Sequence, residues 1–444
     1  MSGELFGGSD GGSGAGERRA GRRRAAGDGP PRVVRADRSQ LELRPVDLDG
    51  LIPPGHRARA VWQFVERLDL RAFYAPIKAR GSQAGRPHTD PKVLLALWVY
   101  ALSNGVGHAR ELERLCHEHD AYRWLRGGVP VNYHTLSDFR WTHPAAIDEL
   151  LTHVLAVLLH QGVVSLRRVA QDGTRVRASA GTNSFRRQRR LEEWLAAARA
   201  QLAALATAPA DAGRPARRQA AQERAARERA ERVERALSEL EQLRTMRAAQ
   251  HGGKKSRGEP RASATDPEAR VLRMSDGGFR PGYNVQFATT TQGQVIVGVH
   301  VSNTHDSGQV EPTLADVERR TGERPAEYLA DAGYAQEATV EATSAQGVTL
   351  YTPVPQRQHV DDPHQRRPGD SAAVAHWRER MGTPAAKEIY RDRAPTSERV
   401  NADLKTWRGL ASIPLRGTRK VWAFALLNAL TFNMLRVFAL DVRI

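Results

Sequence analysis

Ala170-Gln171-Asp172-Gly173-Thr174-Arg175-Val176-Arg177 is the stretch on which the fold turns. With Val169 ahead of it, the run reads as a strand that places one carboxylate, Asp172, near its end and beside the turn-forming Gly173. Strand patterns resume over 283–288 and 295–301, parted by Thr291-Gln292-Gly293, a connection short enough for a hairpin. A helix over 308–320 leads to a third apolar run ending Tyr328-Leu329-Ala330-Asp331, and another helix precedes Val348-Thr349-Leu350-Tyr351. Helical patterns follow at about 372–380, 395–405 and 421–440. Strands followed by helix–strand alternation predict a mixed α/β core over 166–405, with 406–444 as a helix packed on it.

Between the first strand and the rest lies an interruption, 185–258, rich in Ala, Arg, Glu and Leu. Two helical runs, 187–206 and 216–249, are parted by Ala208-Pro209-Ala210-Asp211-Ala212-Gly213-Arg214-Pro215. Val233, Leu237, Leu240 and Leu243 fall at helical spacing, enough to zip the runs into an inserted helical hairpin.

Upstream, 39–165 is helical in pattern. Asp90-Pro91 is an N-cap and first-turn pair opening the apolar run 93–98, and a second helix carries Leu112 and Leu115 opposite Arg110, Glu111, Glu113 and Arg114. After Gly127-Gly128-Val129-Pro130, the spacing of Thr135-Leu136-Ser137-Asp138 predicts a capped helix beginning at Asp138. Short helices joined by Gly-containing turns, with Asn132, His134 and Arg140 at the junction, suit a helix-turn-helix-like DNA reader. A plain helical packing domain is the alternative. Residues 1–38, mostly Gly, Ser, Arg and Pro, read as a disordered basic arm.

A length of 444 residues points to two or three domains. Lys plus Arg number 67 against 50 Asp plus Glu, and the net charge of +17 favours a polyanionic partner. One cysteine, Cys116, excludes an internal disulfide framework and fits a reducing cytoplasm. The most apolar stretch, 421–440, is broken by Asn428, Asn433 and Arg436, so a packed helix is expected there and no membrane partner. The arginines near the start lead into no apolar region, so no secretory signal is read.

Three acids stand where chemistry is usually built. Asp172 and Asp331 each follow a predicted strand, and in α/β sheets the ligand crevice lies outside such strand ends. Glu398 falls on a predicted helix in Tyr390-x-x-Arg393-x-x-x-x-Glu398, which offers Arg399 and Lys405 to phosphates and turns Val400 and Leu404 to the core. Carboxylates converging in a basic protein make a site for a hard cation such as Mg²⁺. Two such ions roughly 3.5–4 Å apart activate an attacking oxygen and stabilise a leaving one. Taken singly, an Asp after a strand is more often a turn or a cap, so the weight rests on the set.

Other signals have plainer readings. Asp266, His305 and Asp306 border the core strands as turns or caps, with a supporting role at the site as the alternative. His117-Glu118-His119-Asp120 has adjacent spacing and reads as a solvated helix end. Gly253-Lys254-Lys255-Ser256 is not a phosphate loop, because position 248 is Ala where that motif needs Gly. Arg186, Arg187, Arg189 and Arg190 are a solvated face or a DNA contact.

The wording around the three acids is more specific than their placement. Residues 170–178 resemble the first-aspartate motif of bacterial insertion-sequence DDE transposases, and Leu329-Ala330-Asp331-Ala332-Gly333-Tyr334 resembles their second. Tyr390 through Lys405 resembles their glutamate motif. Val131 through Arg140, Thr265 through Arg270, Gly282 through Gln286 and Leu415 through Val421 are similar to further blocks in the same order, from about 40 to 440. The similarity is nearest the insertion sequence 1182 type, within the broader group of families 4 and 5. One departure stands out: that group has three residues between the arginine and the glutamate, whereas 394–397 are four, although the six from 399 to 404 before Lys405 are kept.

The resemblance implies an RNase H-like core, catalytic and metal-binding roles for Asp172, Asp331 and Glu398, and two Mg²⁺ or Mn²⁺ ions. It also implies cleavage at the element's ends and transfer of those ends to target double-stranded DNA, by a homodimer or larger assembly on the bacterial nucleoid. DNA contacts are expected from Arg175, Arg177, Tyr390, Arg393, Arg399 and Lys405 in the core, and from Arg140 and His134 in the reader. Two rival classes are a catalytically inactive or domesticated copy that only binds DNA, and a basic coiled-coil scaffold, which accounts for 185–258 alone.

Overall fold

The strand predicted around Asp172 is the middle of a mixed sheet. In a computed structural model that describes residues 47–80, 87–207, 216–251, 258–356 and 362–442, it runs over Arg168–Arg177 as β1. The expected arm 1–38, the break 208–215 and Gly253–Ser256 fall outside the described residues. The other strands are β2 (Phe185–Arg186), β3 (Ala262–Ser263), β4 (Arg270–Arg273), β5 (Phe279–Thr290), β6 (Ile296–Ser302), β7 (Glu327–Leu329) and β8 (Thr349–Tyr351). The main sheet has the order β4-β5-β1-β7-β8, with β6 also paired to β5, while β2 and β3 make a separate ribbon.

Register decides what stands beside Asp172. β1 is antiparallel to β5, with Asp172 opposite Phe287 and Gly173 opposite Gln286. It is parallel to β7, with Ala170 opposite Leu329, so the chain two residues beyond β7 brings Asp331 level with Asp172. Strands β6, β5 and β1 antiparallel, then β7 and β8 parallel, form the RNase H-like core that the resemblance implies.

The helices before the sheet are α1 (Arg57–Glu66), α2 (Arg71–Tyr74), α3 (Pro91–Ser103), α4 (Ala109–Glu118), α5 (Asp120–Arg126), α6 (Tyr133–Thr142) and α7 (Pro144–His160). The inserted hairpin is α8 (Gln188–Thr207) and α9 (Ala216–His251). Beyond it come α10 (Val310–Thr321), α11 (Glu337–Ala345), α12 (Ala372–Gly382), α13 (Pro384–Arg391), α14 (Arg399–Trp407) and α15 (Thr418–Ala439). As expected, Asp90 caps α3 by accepting from the Lys92 N–H. The helix expected to begin at Asp138 instead begins at Tyr133, because Asn132 accepts from the Thr135 N–H at 2.9 Å and starts it sooner.

One hydrophobic core runs from the N-terminal helices through the sheet to α15, and the hairpin has a small separate one. α15 is long and apolar enough to cross a membrane by length and composition, yet 78% of its most apolar window is buried inside the protein, as the sequence predicts for a packed helix. Its Asn433 is fully buried and completes the edge of β6, accepting from the Ile296 N–H (2.9 Å) and donating to the Ile296 carbonyl (2.8 Å).

Arg140 corrects a sequence expectation. It is buried, with its guanidinium 4.8 Å from the Trp98 ring centroid and donating to the Gly107 carbonyl at 2.9 Å. Burial lowers its pKa to about 10. Its positive charge serves to join α6 to α3 and α15, and a phosphate has no access to it.

Candidate active site

Side chains alternate along β1, so Asp172 and Thr174 face one side of the sheet and Gln171, Gly173 and Arg175 the other. On the Asp172 side lies α14. Asp172 is half-buried, and one carboxylate oxygen accepts from Asn401 Nδ2 at 3.1 Å. Burial pushes its pKa up to about 6; Arg393 and Asn401 pull it down, while the nearby Asp306 and Asp331 push it further up.

The other two carboxylates are exposed. Asp331 starts the short turn Ala332–Tyr334 and accepts from the Ala332 N–H at 2.6 Å. Glu398 accepts from Arg393 Nη2 at 2.8 Å. Arg393 is the group all three share. Its burial would lower the guanidinium pKa, but Tyr390, Asp331, Asp172 and Glu398 together hold it above its ordinary value. The Arg393 guanidinium also lies 5.8 Å from the Tyr390 ring centroid.

The extra residue between Arg393 and Glu398 has a structural outcome. Ala394–Glu398 is a π-helical turn, in which residues five apart come to one side, as residues four apart do in an α-helix. The Arg393–Glu398 ion pair spans that interval, so the added residue leaves both ends on the same face. From Glu398 onward α14 resumes, and Glu398, Asn401 and Lys405 form one stripe at helical spacing. Lys405 is half-buried, with its Nζ 3.5 Å from Ser275 Oγ, and burial lowers its pKa while Asp172 and Asp276 oppose the shift.

Across the sheet, a polar network fixes β1 from behind. Gln171 donates to Gln286 (2.8 Å), to the Gln309 carbonyl (3.0 Å) and to Thr313 (3.1 Å), and accepts from Tyr328 (2.8 Å). Asp306 accepts from Arg175 (2.9 Å), Asn284 (2.8 Å) and Gln286 (3.2 Å). The absence of a side chain at Gly173 permits this, since a Cβ there would sit 2.3 Å from an Asp306 oxygen.

The structure therefore gathers Asp172, Asp331, Glu398, Tyr390, Arg393 and Lys405 in one place, with Arg175 joined to it through Asp306. Arg177 is exposed at the end of β1 near Asp276. Arg399 is exposed beside Arg436, and His134 is exposed in the first turn of α6, 4.0 Å from the Tyr133 ring. Asn401 escapes the sequence reading, although its place three residues after Glu398 puts it on the same face. Asp306, read as a turn, anchors the arginine of the first motif. Asp266 is fully buried as a structural acceptor for the Tyr283 hydroxyl (2.8 Å) and the Gly417 N–H (3.1 Å).

Among the described residues no three His, Cys, Asp or Glu side chains close on one point as metal ligands do. Arg393 pairs with Glu398 at 2.8 Å and interacts electrostatically with Asp172 and Asp331. The donor set is all oxygen, which is the kind Mg²⁺ and Mn²⁺ take.

Two family models match the chain. Residues 244–434, which include Asp331 and Glu398, match the family described as Transposase DDE domain. Residues 46–141 match a second, described as Transposase domain (DUF772). Asp172 lies between the two matched segments and reaches the core through the pairing of β1 with β5 and β7. No curated protein and no solved structure matches the chain. A sheet of RNase H-like order, together with matches to two transposase domains, places this chain among the insertion-sequence DDE transposases, enzymes that act on DNA.

Proposed function

We propose that this transposase cuts the ends of its own insertion sequence and joins them to target DNA by phosphoryl transfer with two divalent ions, Asp172, Asp331 and Glu398 being the carboxylates that hold them. The observation that carries this reading is that acids from β1, from beyond β7 and from the start of α14 surround one guanidinium, Arg393, which pairs with Glu398 at 2.8 Å and feels the charges of Asp172 and Asp331. When bound, Mg²⁺ or Mn²⁺ supplies charge for the attacking and leaving oxygens.

The chain's own residues do the positioning. Asn401 orients the Asp172 carboxylate, and the π-helical turn sets Glu398 toward the same centre. Arg393 and Lys405 offer positive charge to the phosphate being cut, which matters because phosphoryl transfer depends mainly on alignment and neutralisation. Tyr390, Arg175, Arg177, Arg399 and His134 contact the flanking DNA. In this reading 39–165 recognises the terminal repeat, 166–405 carries the chemistry with 185–258 as its insert, and 406–444 packs on the core. Two ends must be held together, so the working form is a dimer or larger assembly on DNA, in the cytoplasm.

The test is cleavage of a duplex carrying the element's terminal repeat, in Mg²⁺ or Mn²⁺. Asp172→Asn and Glu398→Gln are each expected to lose on the order of 10³-fold in rate, about 4 kcal/mol of barrier, with retardation of the same duplex unchanged. Cleavage by either variant at the wild-type rate would overturn the assignment.

A further inference from the structure

The two aspartate motifs have more in common than their acids: Gly173 follows Asp172 directly, and Gly333-Tyr334 ends the turn that Asp331 begins. β7 stops at Leu329, so Asp331 stands beyond the sheet and its side chain is exposed. A carboxylate on a surface turn keeps one position only where the turn itself is tied down. Near its start, the Asp331 carbonyl accepts from Thr352 Oγ1 at 2.8 Å. At its end, Tyr334 is 1% exposed and its hydroxyl donates to Gln286 Oε1 at 2.5 Å.

Gln286 is where the two motifs meet. It stands opposite Gly173 in the register of β1 with β5. Its carbonyl oxygen accepts from the Tyr334 hydroxyl and from the Gln171 amide (2.8 Å), which fills both lone pairs. Its Nε2 is thereby turned to Asp306, to which it donates at 3.2 Å. Gln171 and Gly173 are the neighbours of Asp172 in β1, so one amide connects Tyr334 to both sides of the first carboxylate. The glycines allow the approach. A Cβ at Gly173 would lie 2.4 Å from Gln286 Nε2 and 2.3 Å from Asp306 Oδ1, whereas one at Gly333 would rest 3.7 Å from the Asp306 Cβ, in ordinary contact. Asp306 therefore touches both motifs while Gln286 bonds to both.

We infer that Tyr334 is a positioning residue: through Gln286 its hydroxyl holds the turn carrying Asp331 at a set distance from Asp172. The inference rests on the two-ion reading above and adds what fixes the spacing of its first two acids. Tyr334 touches neither DNA nor a carboxylate in this account and acts only through the buried amide. A phenylalanine ring fits the same place, but Gln286 then keeps one of the two donors that orient its carbonyl, and the end of the turn is released. Misplacing a reacting group by about 1 Å costs on the order of 10²-fold in rate, so a small shift of Asp331 is enough to be read in turnover.

The experiment compares the full chain with Tyr334→Phe in two ways: turnover of a terminal-repeat duplex in Mg²⁺, and backbone cuts made by bound Fe²⁺ with ascorbate and peroxide in the absence of DNA. Tyr334→Phe is expected to lose roughly 10- to 100-fold in kcat with KM for the duplex unchanged. Its Fe²⁺ cuts near Asp331 fade while those near Asp172 persist. Gln286→Met loses kcat likewise, and Tyr334→Phe/Gln286→Met is no slower than Gln286→Met, because the hydroxyl has already lost its acceptor. Tyr283→Phe removes another buried hydroxyl, bonded to Asp266 at 2.8 Å, and retains both kcat and the cuts. Wild-type kcat and cuts in Tyr334→Phe, an equal loss in Tyr283→Phe, or a double variant slowed by the product of the two single effects overturns the inference. If the wild type neither cleaves the duplex nor is cut near either aspartate, the two-ion reading falls and takes the inference with it.

Discussion

The hairpin α8–α9 and the sheet it interrupts use charge differently. In the hairpin, several ion pairs join near neighbours or the two facing helices (Arg190 with Glu193, Arg232 with Glu228, Arg244 with Glu241, Arg199 with Glu234), while Glu239 of α9 ties it to Arg270 of β4. Its core is Leu191, Val233, Ala236, Leu240 and, from β3, Ala262. Around the sheet, pairs join distant parts of the chain. Arg168 binds Glu327 and Asp392, Arg320 binds Asp148, and Arg378 binds Glu337 and Asp370. The hairpin is held mostly by local pairs, with one tie to β4, whereas the candidate site comes together only when long loops close. Distant acids can meet at Arg393 because the surrounding sheet and helices are tied together at many such points.

Asn433→Leu probes the long-range side hardest. It leaves the buried Ile296 N–H and carbonyl without partners, at about 1–3 kcal/mol each, so about 4 kcal/mol of global stability is expected to go, read from denaturant unfolding. A cost below 1 kcal/mol would mean that α15 is not what secures β6.

Asp172→Asn shows what burying that carboxylate costs the fold. With its pKa near 6 when folded and 3.8 ordinarily, Asp172 keeps a proton between pH 4 and 6 that the unfolded chain releases. Stability therefore falls as pH rises through that window, by up to about 3 kcal/mol, and stays lower above it. Without divalent metal, the Asn variant is expected to exceed the wild type in stability at pH 7 and to match it at pH 4. Identical pH profiles would contradict the burial.

Arg199→Ala probes the local side. The pair with Glu234 is more than a third exposed on both partners, so screening holds its contribution to less than about 0.5 kcal/mol. A loss above 1.5 kcal/mol would erase the distinction between the two regions.

The same distinction explains what could be read from the sequence. α8 and α9 were legible because their apolar spacing and composition are local, and so was β1 with Asp172. The start of α6 was displaced because Asn132 competes with the box at Thr135–Asp138, and only the geometry chooses between them. Arg140 looked like a DNA contact, since the residues that bury it, Trp98 and Phe424, lie far along the chain on either side. Asp306 looked like a turn because its partners come from β1 and β5, brought together by register. The extra residue before Glu398 departs from the family spacing, and the π-helical turn absorbs it.

The most direct measurement maps where a divalent ion binds along the polypeptide. Fe²⁺ with ascorbate and peroxide, in place of Mg²⁺, cleaves the backbone beside its own site. Cuts near Asp172, Asp331 and Glu398 together, all suppressed by excess Mg²⁺, are the predicted result. Cuts at one of the three alone, or elsewhere in the chain, would contradict a shared centre.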